Sequence, residues 1–294
     1  MILIFSEIGD STTLKVCEFL ESLTLSYTVV FRGDNLQFNG DSIIIGQDKY
    51  HLSEIKSVWF RRGKFYIKKH FYEEEDLNLY LRENDLILEE YVNFKLDSLN
   101  KIGSSQGIHV NKLIVLEKAK LYNLLVPKFY LLENFCMHDK KYISKGVNGN
   151  TYFDFGKHRF ILPIQEIEGE HHSGLSFYQE YIDKKYELRI FYLHGKIWTM
   201  AIFSQNDEQT KTDFRRYNTQ KPNRNVPYSL PKNIEESIDK LMRDLSLNTG
   251  SIDMIVTPEN KYVFLEVNPV GQFGMVSLPC NYNLEERIVD HLVF

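Results

Sequence analysis

Residues 251–274 read SIDMIVTPENKYVFLEVNPVGQFG, and no other stretch constrains the fold as tightly. Two apolar runs, 252–256 and 261–267, flank Thr257-Pro258-Glu259-Asn260, which has the composition of a tight turn. A β-hairpin is predicted. Pairing Val256 with Lys261 sets Asp253 opposite Phe264 and continues the same face through Glu266 and Asn268 at period two. The opposite face then carries Ile252, Met254 and Val256 against Val263, Leu265 and Val267. Burying that apolar face fixes the register, and with it the side on which the polar residues stand. Two carboxylates and an amide oxygen are hard ligands, suited to Mg2+ and poorly suited to zinc. Mg2+ held by a few protein oxygens keeps its other positions for water and phosphate, so Asp253, Glu266 and Asn268 predict a nucleotide site. The competing reading is an ordinary hairpin with two solvated carboxylates.

The chain has 294 residues, enough for two or three subdomains. Its 35 basic and 40 acidic residues leave a net charge of -5, too balanced for a dedicated nucleic-acid binder. Cys17, Cys136 and Cys280 are widely spaced and odd in number, which suits a reducing cytosol better than a disulfide framework. The opening apolar run is of strand length and has no basic leader. A cytoplasmic protein with no membrane and no nucleic-acid partner is expected.

Strand signals at 2–5, 28–31, 42–45 and 57–60 and a helical stretch at 11–23 give an open-sheet α/β pattern. The acidic segment 73–99 carries Leu77, Tyr80, Leu81, Leu88, Tyr91 and Val92 at helical intervals and is expected to bridge domains. Residues 101–107 form the best candidate linker, after which Asn111 caps a helix running to Asn123. Arg61 and Arg62, at a strand end, are candidates either for peptide contact or for surface pairing. Neither Gly-x-x-x-x-Gly-Lys-Ser/Thr nor Gly-x-Gly-x-x-Gly occurs, so any triphosphate is cradled without a P-loop. The polar segment 212–217 holds an Asp-x-Arg motif. Arg215 can clamp a carboxylate or acyl phosphate bidentately, and Asp213 can orient or deprotonate a nucleophile, unless both are simply solvated loop charges.

An Asp on one strand and Glu-x-Asn-Pro on the next resembles the carboxylate hairpin of the ATP-grasp superfamily. The resemblance implies an α/β (α+β) ATP-grasp fold. An N-terminal open-sheet pre-ATP-grasp domain at 1–97 would precede two ATP-grasp subdomains with antiparallel sheets, at 108–178 and 179–294. It further implies that Lys112, opening the helix NKLIVLEKAKLYNLLVPKFY, and Lys145, in KKYISKGVNGN before Gly146 and Gly149, reach the nucleotide phosphates. Glu180, Tyr181 and Ile182 would line the adenine slot, Glu187 would contact the ribose, and Arg189 would stabilise the transferred phosphoryl oxygens. Each of these residues, taken singly, is equally compatible with surface or core duty.

The opening MILIFSEIGDSTT, the segment VWFRRGKF around Trp59 and the ending VNPVGQFGMVSLPCNYNLEERIVDHL resemble one branch, the graspetide peptide maturases of microviridin-ligase and grasp-with-spasm type. Such enzymes use ATP and Mg2+ to phosphorylate an Asp or Glu side chain of a ribosomal precursor peptide. A Thr or Ser hydroxyl or a Lys amine then closes an ester or amide ring. The resemblance implies a leader-and-core peptide as partner and a homodimer. The Asp-Phe-Arg run also resembles ribosomal-protein glutamate ligases. An amino-acid ligase, a small-molecule kinase and a non-catalytic ATP-binding module therefore remain as rivals.

Overall fold

The computed structural model describes residues 1–68, 71–107, 109–145, 152–155, 158–161, 165–205 and 222–293. The N-terminal third is built on a parallel sheet of order β2-β1-β6-β7, comprising β1 (Ile2–Ser6), β2 (Tyr27–Phe31), β6 (Ser57–Phe60) and β7 (Asn100–Ile102). Parallel strands require covered faces. On one face, Ile2, Ile4 and Trp59 meet α1 (Ser11–Ser22), whose Val16, Cys17 and Leu20 recur at helical spacing. On the other, Leu3, Phe5, Val58 and Phe60 pack against Leu36 and Ile43 of the antiparallel meander β3 (Leu36–Asn39), β4 (Ser42–Ile45) and β5 (Asp48–His51), and against α2 (Glu75–Asp97).

Two expectations need correction here. Residues 101–102 belong to β7 and not to a linker, because their backbone completes the parallel sheet beside β6. The helix read over 73–99 is present as α2, but only part of its apolar stripe, Val92 with Leu88 beside it, reaches the core. Its inward face is Glu89, Val92, Asn93 and Leu96, set against the N-terminal core, while Leu77, Tyr80 and Tyr91 are exposed. The polar members of that inward face are used, since Asn93 exchanges hydrogen bonds with the Phe65 backbone and Glu89 accepts from the Ile67 N–H. Satisfied polar groups are what allow a partly polar face to be buried.

The C-terminal half centres on an antiparallel sheet of order β14-β13-β12-β15-β16. Its strands are β12 (Tyr186–Leu193), β13 (Lys196–Phe203), β14 (Arg224–Tyr228), β15 (Thr249–Val256) and β16 (Tyr262–Asn268). Leu188, Ile190, Ile252, Met254, Phe264 and Val267 form one face, covered by α3 (Lys112–Leu121) and α4 (Lys232–Asp244). So α3 shares the core of the C-terminal sheet, and packing does not divide the chain at residue 108 as expected. Asn111 caps α3 by accepting from the Leu113 and Ile114 N–H groups. On the opposite face Phe191 and Leu193 join α5 (Gly274–Cys280), α6 (Leu284–Val293) and the first sheet in a single core, which locks the two sheets together.

Between these halves lies a smaller antiparallel unit made by β8 (Phe129–Lys145) and β11 (Gln165–Glu180), with β9 (Tyr152–Phe155) paired to β10 (His158–Ile161). Residues 177–179 pair with both ends of β8, at 129–131 and at 143–145. Its core is Phe135, Tyr142, Ile167 and Tyr178. Among the described residues no helix is long and apolar enough to cross a membrane.

The hairpin β15–β16 exists as expected, but its register does not match. The turn holds three residues, Pro258-Glu259-Asn260, with Asn260 at φ 60, and Val256 pairs with Tyr262. A left-handed residue closing a three-residue loop is a standard hairpin solution, one that two-residue turn chemistry does not anticipate. Pairing then shifts once more, from Met254–Phe264 to Asp253–Glu266, leaving Leu265 as a bulge. Phe264 therefore lies in the core at 0 % exposure, and Leu265 does not take the core place expected for it. In the register set by the turn alone, Glu266 would stand opposite Ile252 on the apolar face. The bulge returns it to the polar face, directly across from Asp253.

Candidate functional site

On that polar face four charges stand in a row across four elements. Arg189 of β12 is the cross-strand partner of Asp253, and Asp253 is the partner of Glu266. Arg189 Nη1 donates to Asp253 Oδ1 at 2.5 Å, and Lys112 Nζ, at the first position of α3, donates to Glu266 Oε2 at 2.8 Å. The order is cation, carboxylate, carboxylate, cation. Adjacent carboxylates repel unless countercharge is near, and here each has its own. Arg189 and Asp253 are largely buried, and Arg189 Nε is buried with no acceptor. An unpaired donor of this kind costs stability unless something occupies the space before it.

Asn268 ends the hairpin, two residues beyond Glu266, with an exposed side chain whose Oδ1 accepts from the Val270 N–H at 3.1 Å. Asp253, Glu266 and Asn268 therefore share one face at the same strand end. Among the described residues no cluster of three or more His, Cys, Asp or Glu forms. Two carboxylates plus an amide are the harder, oxygen-only set that suits Mg2+, and the donors present fit that ion.

The loop after Asn268 is held from the other sheet, a feature the sequence did not disclose. Arg61 is not a surface residue. It is 3 % exposed, pairs with Asp10 at 2.9 Å, and donates through Nη1 to the carbonyls of Val270 and Gly271 at 2.6 and 3.1 Å. Its guanidinium also lies 5.8 Å from the centroid of the Phe273 ring, which packs on Phe191. Burial opposes ionisation of Asp10, but the hydrogen bond and charge of Arg61 outweigh it and hold the carboxyl below its usual range. Gly271 has no room for a side chain: a Cβ there would sit 2.2 Å from Ser251 Cβ. Loop and strand are thus fitted to each other beside the candidate ligands.

Of the remaining expected residues, Lys145 ends β8, Glu180 ends β11 with Tyr181 and Ile182 following it, and Glu187 is on β12. Lys145 Nζ lies 3.3 Å from Gln179 Oε1 and 5.1 Å from the centroid of the Phe177 ring, and Gln179 Nε2 is buried without an acceptor. Glu180 pairs with Lys140, and the N–H groups of Glu180 and Tyr181 donate to the carbonyls of Lys128 and Lys141. Those two donors are committed within the fold. Glu187 is 7 % exposed, with Lys184 Nζ and Ser204 Oγ donating to its oxygens at 2.6 Å each. It is held internally, so ribose contact requires one of those donors to share it. Asp213, Arg215, Gly146 and Gly149 lie outside the described residues.

A cavity of about 900 Å³ opens at the carboxyl ends of β1, β2 and β6, and Asn268 and Val270 are part of its lining. In open sheets this is where ligands bind.

No family model matches the chain, and no curated protein matches it in sequence. Solved structures do match over the full length. The macrocyclase MdnC from Microcystis aeruginosa, bound with precursor peptide MdnA, aligns at TM-score 0.76 and 23% identity, covering 100% of this chain and 99% of that one. A RiPP-associated ATP-grasp ligase from Chryseobacterium gregarium, in complex with ADP and a leader and core peptide, aligns at 0.72 and 22%, covering 99% and 94%. D-alanyl-alanine synthetase A from Vibrio cholerae aligns at 0.54 and 12%, covering 99% and 96%. The protein has the ATP-grasp fold. Within that fold its shape is nearer to the two peptide-modifying ligases than to the synthetase.

Proposed function

We propose that the protein is an ATP-dependent, ADP-forming carboxylate ligase that closes ester or amide rings within a ribosomal precursor peptide. The observation that carries this is the row Arg189–Asp253–Glu266–Lys112, set on a fold that matches peptide macrocyclases end to end. Asp253, Glu266 and Asn268 would hold Mg2+, which when bound supplies positive charge to the phosphates of ATP. Lys112, which already reaches Glu266, and Lys145 would offset the remaining phosphate charge. Arg189, with its unpaired Nε, has a donor to spare for a transferred phosphoryl oxygen. Glu180, Tyr181 and Ile182 would border the base, and Glu187 the ribose.

The chemistry has two steps. An Asp or Glu carboxylate of the peptide attacks the γ-phosphorus of ATP, ADP leaves, and an acyl phosphate forms. A Thr or Ser oxygen or a Lys nitrogen then attacks the acyl carbon, loses its proton, and inorganic phosphate leaves. Activation is needed because a carboxylate is a poor electrophile. The rest is charge neutralisation and positioning. Arg215 would hold the activated carboxylate and Asp213 the nucleophile. The same reading places a homodimer in the cytoplasm. Leu77, Leu79, Tyr80, Leu86, Ile87, Tyr91 and Phe94 on α2 are 40–68 % exposed. Together they offer roughly 800 Å², one partner's share of a standard interface.

The experiment is ATP-dependent phosphate release with a leader-bearing precursor peptide, read together with peptide mass. Loss of one water per ring supports the assignment. A gain equal to one amino-acid residue moves the protein to the amino-acid ligases, a gain of one phosphate makes it a kinase, and nucleotide binding with no turnover makes it a non-catalytic module.

A further inference from the structure

The cavity that Asn268 helps to line has a charge pattern that the nucleotide site does not require. The chain as a whole carries -5, yet Arg32, Arg62, Lys64 and Lys68 line this crevice against only Glu7 and Asp34. Both acids are already engaged: Asp34 accepts from the Phe31 N–H at 2.8 Å, and Glu7 lies 3.4 Å from Arg62. Arg32, Lys64 and Lys68 pair with no carboxylate among the described residues. Arg62 reaches Asp10 only at 3.6 Å, and its Nε is buried without an acceptor. The floor is apolar, made by Phe5, Val30 and Leu36, and Tyr66 stands at the rim under Lys64, whose Nζ is 5.5 Å from the ring centroid.

We propose that this crevice is a recognition site for the acidic side chains of an extended peptide, delivering one carboxylate to the strand end at Asn268. The occupant's identity as peptide substrate rests on the ligase reading above. Unpaired cations over an apolar floor suit a chain that alternates carboxylates with apolar side chains. In an otherwise acidic protein, a locally positive cleft also selects which region an acidic ligand meets. The charge of the crevice thereby sets specificity before any phosphoryl transfer.

The test uses anisotropy of fluorescein-labelled hexaglutamate on the full-length protein at low salt, where such contacts are least screened. Hexalysine and a dT hexanucleotide serve as comparison probes. Hexaglutamate is expected to bind, and Arg32→Glu and the double change Lys64→Glu/Lys68→Glu are each expected to weaken it at least ten-fold. Lys232→Glu/Lys240→Glu, two exposed reversals on α4, should leave binding within two-fold. No binding by the unaltered protein, or equal loss in the α4 control, overturns the proposal. Tighter binding of the dT hexanucleotide with the same variant pattern overturns it in favour of a phosphate-backbone site. ADP binding is measured on the same samples. If ADP and Mg2+ fail to bind while hexaglutamate still depends on Arg32, the crevice stands and the ligase reading falls.

Discussion

The proposed nucleotide site would have two walls, built on different principles. The wall of β15 and β16 sits on the largest core, pairs in one register with a single bulge, and is tied by Arg61 to the other sheet. The wall of β8 and β11 pairs in several registers and is held by a cluster of its own, with Phe135 stacked on Tyr178 at 4.4 Å and edge-on to Tyr142 at 4.9 Å. Metal ligands tolerate little displacement, so they belong on the wall whose geometry is over-determined. Lys145 and the 180–182 segment would meet a large ligand over a wide area, and a wall with fewer constraints can serve them. Local stability follows the number of buried contacts, and elements that adjust to ligands come from its low end.

The largest effect expected is on the first wall's chemistry. Asp253→Asn and Glu266→Gln should each lower turnover on the order of a hundred-fold or more while the fold persists, measured as ADP release at saturating Mg2+. Full activity in both variants would remove the distinction between the walls.

Next comes the bulge. Phe264→Ala should cost about 3–5 kcal/mol, whereas Leu265→Ala should stay below about 1 kcal/mol, measured by denaturant unfolding. The simple alternating register predicts the reverse order, so this pair of variants decides which register exists.

The clamp gives the third prediction. Arg61→Met strands Asp10 in a buried site and should cost about 3–5 kcal/mol. Arg61→Lys should recover part of the stability but less of the Mg2+ affinity, because one ammonium cannot reach Asp10 and two carbonyls together. The pH dependence has a definite sign. Asp10 is held below its ordinary range, so its contribution is present above the unfolded carboxylate pKa and lost as pH falls through the lower folded value. The stability gap between the unaltered protein and Arg61→Met should therefore be widest near neutral pH and narrow in acid.

The smallest global effect is expected on the second wall. Phe135→Ala should raise the KM for ATP several-fold and leave the Mg2+ dependence of turnover unchanged, with little change in the main unfolding transition. Loss of Mg2+ affinity in this variant would mean the two walls are one mechanical unit.

The same contrast marks what could be read in the sequence. Strands 42–45 and 57–60 stand where periodicity places them, and Asp253, Glu266 and Asn268 share a face as expected. These follow from local alternation and composition. The bulge at Leu265 escaped because alternation was assumed to run unbroken, and a hydrophobic residue suits either face of a pattern. Arg61 escaped because its partners are Asp10 and the carbonyls of Val270 and Gly271, remote in sequence and partly backbone. The tandem Arg61-Arg62 at a strand end was the available signal, since alternation must turn one inward. On α2 the helix and the inward Val92 and Leu88 were legible, but Leu77, Tyr80 and Tyr91 are exposed because half of the buried face is polar and so invisible to an apolar stripe.

The central claim is that the polar face of a bulged hairpin binds Mg2+ together with nucleotide. Calorimetric titration of ADP at stepped Mg2+ concentrations tests it most directly, comparing the unaltered protein with Asp253→Asn/Glu266→Gln. The account predicts that Mg2+ tightens ADP binding in the unaltered protein and has no effect in the double variant. Equal Mg2+ dependence in both proteins would contradict it, placing the metal elsewhere.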